Sequence, residues 1–154
     1  MEVSIDLEVI WNRLSNVNSL MFIATSANNN GGWNGAGRGS VVVESVDKNI
    51  VLFHENGTWQ SETGKELNFT NVYRWTALLD SSSLRLEHLR FGHKHAVYLF
   101  DLKQKDNMTW QSVKPHVCQE DLYTAKMKLD GEILSLEWTI KGPTMNESIN
   151  YSYQ

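Results

Sequence analysis

The sequence predicts an all-β domain, an antiparallel barrel or sandwich of about ten short strands preceded by one short helix. Three observations predict it. Runs rich in β-branched and aromatic residues follow one another, broken by Gly, Asn, Asp and Ser at hairpin spacing. In the clearest runs apolar and polar residues alternate with a period of two, the mark of strands with one dry face and one wet face. Only 2 prolines occur, and almost nothing after the first segment has a helical period.

In chain order, "SIDLEVIWNRL" (residues 4–14) reads as the helix. Ser4 suits its cap, Asp6 and Glu8 suit the positive end of the dipole, and Ile5, Val9 and Ile10 share a stripe that Leu14 extends. The barrel then occupies residues 17–154, the whole chain 1–154 being one domain. "SLMFIATS" is the first strand, and "NNNGGWNGAG" a loop into "RGSVVVESV". "NIVLFHE" meets "NG", a type I′ hairpin signal, before "TWQSE". "TWQSE" and "KELNF" flank "TG", "NVYRWTALLD" ends at "SSS", "LRLEHLRF" at "GHK", and "HAVYLFDL" near "KDN". "YTAKMKL" and "EILSLEWTI" flank "DG", and "SINYSY" closes the chain. Tyr123, Ala125, Met127 and Leu129 face one way, as do Leu134, Leu136, Trp138 and Ile140. "IVLFHE" and "AVYLF" are apolar on both faces, so something covers their outside, and the helix is the candidate.

Composition bounds the function. A net charge of -4 with scattered cations argues against a nucleic-acid or anionic-membrane partner. The N-terminus carries acids where a signal peptide has Lys or Arg, and no apolar run approaches the roughly 20 residues of a membrane helix. With 1 cysteine there is no internal disulfide, and a reduced cytoplasmic protein is expected. The 5 Asn-x-Ser/Thr sequons then reflect an Asn-rich chain.

Several clusters could carry chemistry. Gly35, Gly37 and Gly39 share one strand face, which lets a ring or a backbone approach closely; Trp33 has the same parity. A strand follows them, so they are not a phosphate loop. His93 and His95 share a parity and, with His116 or Cys118, could form a tetrahedral zinc site; "GHKH" at a hairpin tip reads more simply as solvated turn histidines, and no metal is expected. Arg74, Arg85 and Arg90 lie in apolar strands, where each either braces strands against Glu87, Asp121 or Glu44 or turns inward to hold an anionic group. In "PHVCQEDLY", Pro115 marks a strand entry or edge. His116 and Cys118 on one strand stand roughly 6–7 Å apart, too far for direct proton transfer. Asp121 and Tyr123 complete a polar knot at a strand corner, with ligand orientation and catalysis as the other readings.

The pattern G-x-W-x-G-x-G-x-G, near the start of a ten-stranded antiparallel barrel, resembles the calycin-type barrels, the lipocalin and nitrobindin-like group. The stretches "GWNGAGRGSV", "HENGTW", "NVYRWT", "LRLEHLRFG", "VYLFDL", "PHVCQEDLY" and "LEWTIKGP", within residues 32–143, resemble an uncharacterised bacterial family of lipocalin-like domains. The resemblance implies a closed calycin-like barrel and no established activity. Calycin relatives mostly hold small hydrophobic molecules or heme inside the barrel, an analogy at the level of fold. Nitrobindin-like barrels ligate iron through a late histidine; this chain has none after His116, so a heme site at the family position is not expected, His116 is the residue that could substitute, and no cofactor is expected.

The expected function is that of a binding module for a small apolar or amphipathic molecule. Trp75, Tyr98, Tyr123 and Trp138 would line the barrel, and Arg74, Arg90, His116 and Asp121 would orient a polar group. The alternative from another class is a hydrolase- or isomerase-like enzyme using His116, Asp121 and Tyr123. A barrel filled by its own side chains, acting as an interaction module and assembling as a homodimer, is the third reading.

Overall fold

The computed structural model describes residues 6–26, 34–118, 120–143 and 146–154, with the backbone alone at His116 and Cys118. Asp6 starts the first element: its carboxylate accepts the Val9 N–H at 3.0 Å, and α1 (Leu7–Leu14) follows. Ser4 and Ile5 lie outside the described residues. Ile10 and Leu14, on one stripe, are fully buried in the core. The Trp11 indole N–H donates to the Lys48 carbonyl at 3.1 Å, in the turn between the second and third strands. The helix therefore closes one end of the sheet. Among the described residues no helix is long and apolar enough to cross a membrane.

The strands are β1 (Ser19–Ser26), β2 (Gly35–Asp47), β3 (Ile50–Ser61), β4 (Glu66–Leu78), β5 (Ser83–His88), β6 (Val97–Gln104), β7 (Thr109–Ser112), β8 (His116–Cys118), β9 (Asp121–Asp130), β10 (Ile133–Lys141) and β11 (Asn146–Tyr153). Neighbours pair antiparallel in the order β11, β1 to β7, β9 and β10, and β10 pairs with β11, so ten strands close into a barrel. β8 is not an eleventh stave. β7 and β8 lie end to end along one edge of β9, residues 109–111 opposite 126–128 and 116–118 opposite 121–123. Pro115 falls in the gap between them, where no ladder N–H is required.

The period-two reading of the last strands holds. Ala125, Met127 and Leu129 on β9, and Leu134, Leu136, Trp138 and Ile140 on β10, are all buried. The hairpin read at Asn56–Gly57 is not there. β3 runs straight through these residues, Asn56 opposite Ser40 and Thr70, Gly57 opposite Gly39 and Phe69. Gly57 serves a close approach instead of a turn: a Cβ on it would lie 2.2 Å from the Arg38 carbonyl oxygen and 2.7 Å from Gly39 Cα. The turn comes at "TG", with Gly64 at φ 90°. β7 has only four residues and was not separately legible.

The doubly apolar runs have local explanations. A register shift between Leu86 and Glu87 leaves Leu99 without a partner, since Leu86 pairs Phe100 and Glu87 pairs Tyr98, and both Leu99 and Phe100 join the core. Leu52 is buried on the outer wall between its cross-strand partners Glu44 and Arg74. The helix caps an end of the barrel, where Ile10 and Leu14 join the same core cluster as Val51 and Phe53.

Candidate ligand site in the barrel lumen

The inward side chains form two tiers. Towards the helix-capped end the lumen is solid: Trp75, Trp110, Phe53, Phe100, Leu84, Leu86, Met127 and Leu134 are each no more than 1% exposed. Towards the other end the inward residues are mostly aromatic and somewhat less covered. Tyr73, Trp138 and Tyr151 keep 7%, 8% and 7% of their surface, and Phe22, Phe69 and Ile149 above them are only half-buried. Phe22 lies 5.4 Å from both Phe69 and Tyr151, Trp138 stands edge-on to Phe100 at 5.4 Å and to Tyr73 at 6.0 Å, and His88 stacks on Tyr73 at 4.6 Å. The Phe22 ring occupies the space a side chain on Gly37 would need. That is the ring-over-glycine approach read from the sequence, made by Phe22; Trp33 lies outside the described residues. The result is an aromatic cup on a packed floor.

A polar line runs through the cup's base. Glu55 shares the parity of Val51 and Phe53, so β3 carries it inward, and it is 2% exposed. The Tyr153 hydroxyl donates to Glu55 Oε2 at 2.7 Å. Burial pushes the Glu55 pKa from 4.5 up to about 7, against smaller opposite effects of the Tyr153 hydroxyl and of Asn71, its neighbour on β4. Tyr151 and Tyr153 stack with rings 5.4 Å apart at 2°, and Tyr73 is hydrogen-bonded to Tyr151. Burial, together with the Glu55 carboxylate, raises the pKa of all three hydroxyls, so they stay protonated. Glu55 Oε1 and the Trp75 and Trp138 indole N–H groups are buried with no hydrogen-bond partner among the described residues.

The residues singled out in the sequence scatter around this cup. Trp138 is in its wall, and Trp75 lies deeper, in the packed tier. Tyr123 has inward parity at the open rim, half-buried opposite Ile140. Asp121 lies on the same rim, its Oδ1 against the bare face of Gly142, and burial together with Asp121 raises the pKa of Glu147. His116 pairs with Tyr123 in backbone register. Arg74 lies on the outer wall, because it alternates with inward Tyr73 and Trp75, and forms a bidentate pair with Glu87 at 2.9 Å for both contacts. Arg85 pairs likewise with Asp101 and lies 5.4 Å over the ring of Tyr98, which is on the outer wall too. Arg90 is exposed beside Phe91, and His93 and His95 are exposed in a 3-10 turn. The Arg74–Glu87 brace is partly buried and geometrically well made, so a double-mutant cycle of Arg74→Met and Glu87→Gln in urea unfolding is expected to give a coupling of about 1 kcal/mol. A coupling indistinguishable from zero would remove it as a stabilising element.

Sequence reading passed over Glu55, Tyr151 and Tyr153. Two signals were present: Glu55 keeps the inward parity of "IVLFHE", and "NYSY" places two tyrosines on one face. What brings them together is barrel closure, which sets residues 98 positions apart against each other.

A separate concavity of about 530 Å³ lies on the outer wall, between Met21 and Ile23 of β1, Ala36 and Arg38 of β2, and Thr58 and Gln60 of β3. Of the residues singled out above, only Gly35 and Gly37 line it. No curated protein matches this sequence. A family model described as "Family of unknown function (DUF6314)" matches residues 23–154, from the first strand to the last residue, and the chain belongs to that family.

Proposed function

We propose that the protein binds a small, largely apolar molecule in the aromatic cup at the open end of its barrel. The observation that carries this reading is the Trp138 indole N–H, buried without an acceptor in a wall of rings that are themselves incompletely covered. Buried donors are almost always satisfied, and ligand sites are apolar walls with few polar anchors. A flat molecule with one acceptor facing Trp138 meets both conditions. The packed tier and the helix limit how deep it can go.

Native mass spectrometry of freshly purified protein tests the reading, together with the indole region of a two-dimensional ¹H–¹⁵N NMR spectrum in which Trp138→Phe assigns the peak. An additional small-molecule mass is expected, and the Trp138 peak should move when that molecule is stripped by unfolding and refolding. A clean protein mass, with an indole peak indifferent to millimolar 2-naphthol, would overturn the reading and leave a barrel filled by its own side chains.

A further inference from the structure

We infer that the ligand of this cup carries a protonated nitrogen, an organic ammonium on an apolar or aromatic body, and that this nitrogen donates to Glu55 Oε1. The inference rests on the lumen-binding reading and adds the ligand's charge to it. An ionised carboxylate offers about four acceptor positions; on Glu55 the Tyr153 hydroxyl fills one, and the Asn71 side chain acts as a second hydrogen-bond donor to the same carboxyl. Oε1 is buried and no well-aligned donor faces it. The polar and titratable groups that act on Glu55 are Tyr153 and Tyr151 from β11 and Tyr73 and Asn71 from β4; none of them is a cation. The neighbouring inward positions of β1 and β2 are Leu20, Phe22, Val41 and Gly39, all uncharged.

The cations on the neighbouring strands point away from the lumen: Arg38 on β2 is exposed on the outer wall. Arg74 and Arg85 face outward onto Glu87 and Asp101. His88, stacked against Tyr73 inside the cup, is kept towards its neutral form by burial and by Arg90. Whenever Glu55 is ionised, the lumen is thus an electronegative space without a positive partner, which is costly unless a proton or a ligand cation supplies one. An anionic ligand would be repelled, and a neutral donor would leave the charge uncompensated. An ammonium neutralises it and gains the ring faces of Tyr73, Tyr151 and Tyr153 as cation–π partners. Between Glu55 and the open end, one wall carries no side chains. The next inward residue of β3 towards the open end is Gly57, opposite Gly39, so no side chain on either strand separates Glu55 from the half-buried tier of Phe22 and Phe69.

Two probes of one shape, 2-phenylethylamine and 2-phenylethanol, distinguish the possibilities by calorimetry and by the Trp138 indole peak. The amine stays protonated between pH 6 and 8. At pH 8 it is expected to bind at least about tenfold tighter than the alcohol. Glu55 titrates at about 7, so amine affinity should fall about tenfold at pH 6 while alcohol affinity stays constant. Glu55→Gln should abolish the amine's preference and keep alcohol binding; if that variant does not fold, the wild-type pH comparison decides alone. Equal affinity of the two probes at pH 8, or a preference that survives in Glu55→Gln or does not respond to pH, overturns the inference and leaves the lumen reading standing. Failure of both probes to bind or to move the Trp138 peak overturns both.

Discussion

A single methyl group added at Gly57 is expected to destabilise the protein by about 3 kcal/mol, among the largest effects of any one-carbon change in the chain. The added carbon would lie 2.2 Å from the Arg38 carbonyl oxygen, 2.7 Å from Gly39 Cα and 2.9 Å from the Arg38 carbonyl carbon. All three are backbone atoms of β2, so no rotamer change relieves the contact; the two strands must separate and lose ladder hydrogen bonds. Gly39 stands in the reciprocal position, its own Cβ falling 2.2 Å from the Asn56 carbonyl oxygen and 2.8 Å from Gly57 Cα. Gly39→Ala should therefore cost about as much. The double variant should cost clearly less than the two added together, because the separation forced by one methyl accommodates the other. Gly64→Ala is the control: its Cβ meets nothing within 4 Å, and only the φ of 90° opposes it, at about 1 kcal/mol. Urea unfolding of the four proteins measures this. Gly57→Ala within about 1 kcal/mol of the wild type, or strict additivity of the pair, would show that β2 and β3 can separate freely, and that the glycines do not set the barrel's curvature.

Those glycines also show which parts of the molecule were legible in the chain. The alternation in "AKMKL" and "ILSLEWTI" is a local property, dictated by one dry and one wet face, and it predicted which residues are buried. The coarse statement of Gly35, Gly37 and Gly39 as a bare face was equally readable, since parity alone places them together. Asn56–Gly57 misled because the dipeptide has two uses. A type I′ turn and a close strand crossing both need a residue without a side chain, and only the partner strand tells them apart. β7 escaped because four residues ahead of a proline carry too little pattern. Arg74 illustrates a limit of another kind. Its pairing with Glu87 was one of the readings open to the sequence, yet its direction depended on which of "VYRWT" points inward, and that is decided by the packing of Tyr73 and Trp75. The cup itself was the least legible feature. Glu55, Tyr73, Tyr151 and Tyr153 come from β3, β4 and β11, and they meet only when the last strand closes the barrel on the first.

Glu55→Gln is expected to stabilise the protein at pH 8 by up to about 3 kcal/mol and to flatten its stability between pH 4.5 and 7. Burial raises the Glu55 pKa from 4.5 to about 7, so the folded state holds its proton more tightly than the unfolded chain. Below pH 4.5 both states are protonated and the residue costs nothing through ionisation. As the pH climbs from 4.5 to 7 the unfolded chain releases its proton first, and the folded state loses stability relative to it; above 7 the loss is complete and constant. At about 1.4 kcal/mol for each tenfold difference in proton affinity, the interval amounts to roughly 3 kcal/mol. Glutamine keeps the shape and still offers an oxygen to the Tyr153 hydroxyl, now at 2.7 Å from Glu55 Oε2, while removing the charge. Thermal or urea unfolding from pH 4.5 to 8 for both proteins measures the difference, which should be near zero at the acid end and greatest at the alkaline end. A constant offset, or a wild type that gains stability towards pH 8, would mean that the folded protein already compensates the carboxylate. The ammonium-ligand reading would then lose its physical basis, because it depends on a buried charge the barrel does not neutralise by itself. If the gain appears as expected, the wild-type acid is a destabilising residue held inside an aromatic lumen, and binding a cation there would recover the stability that its ionisation removes.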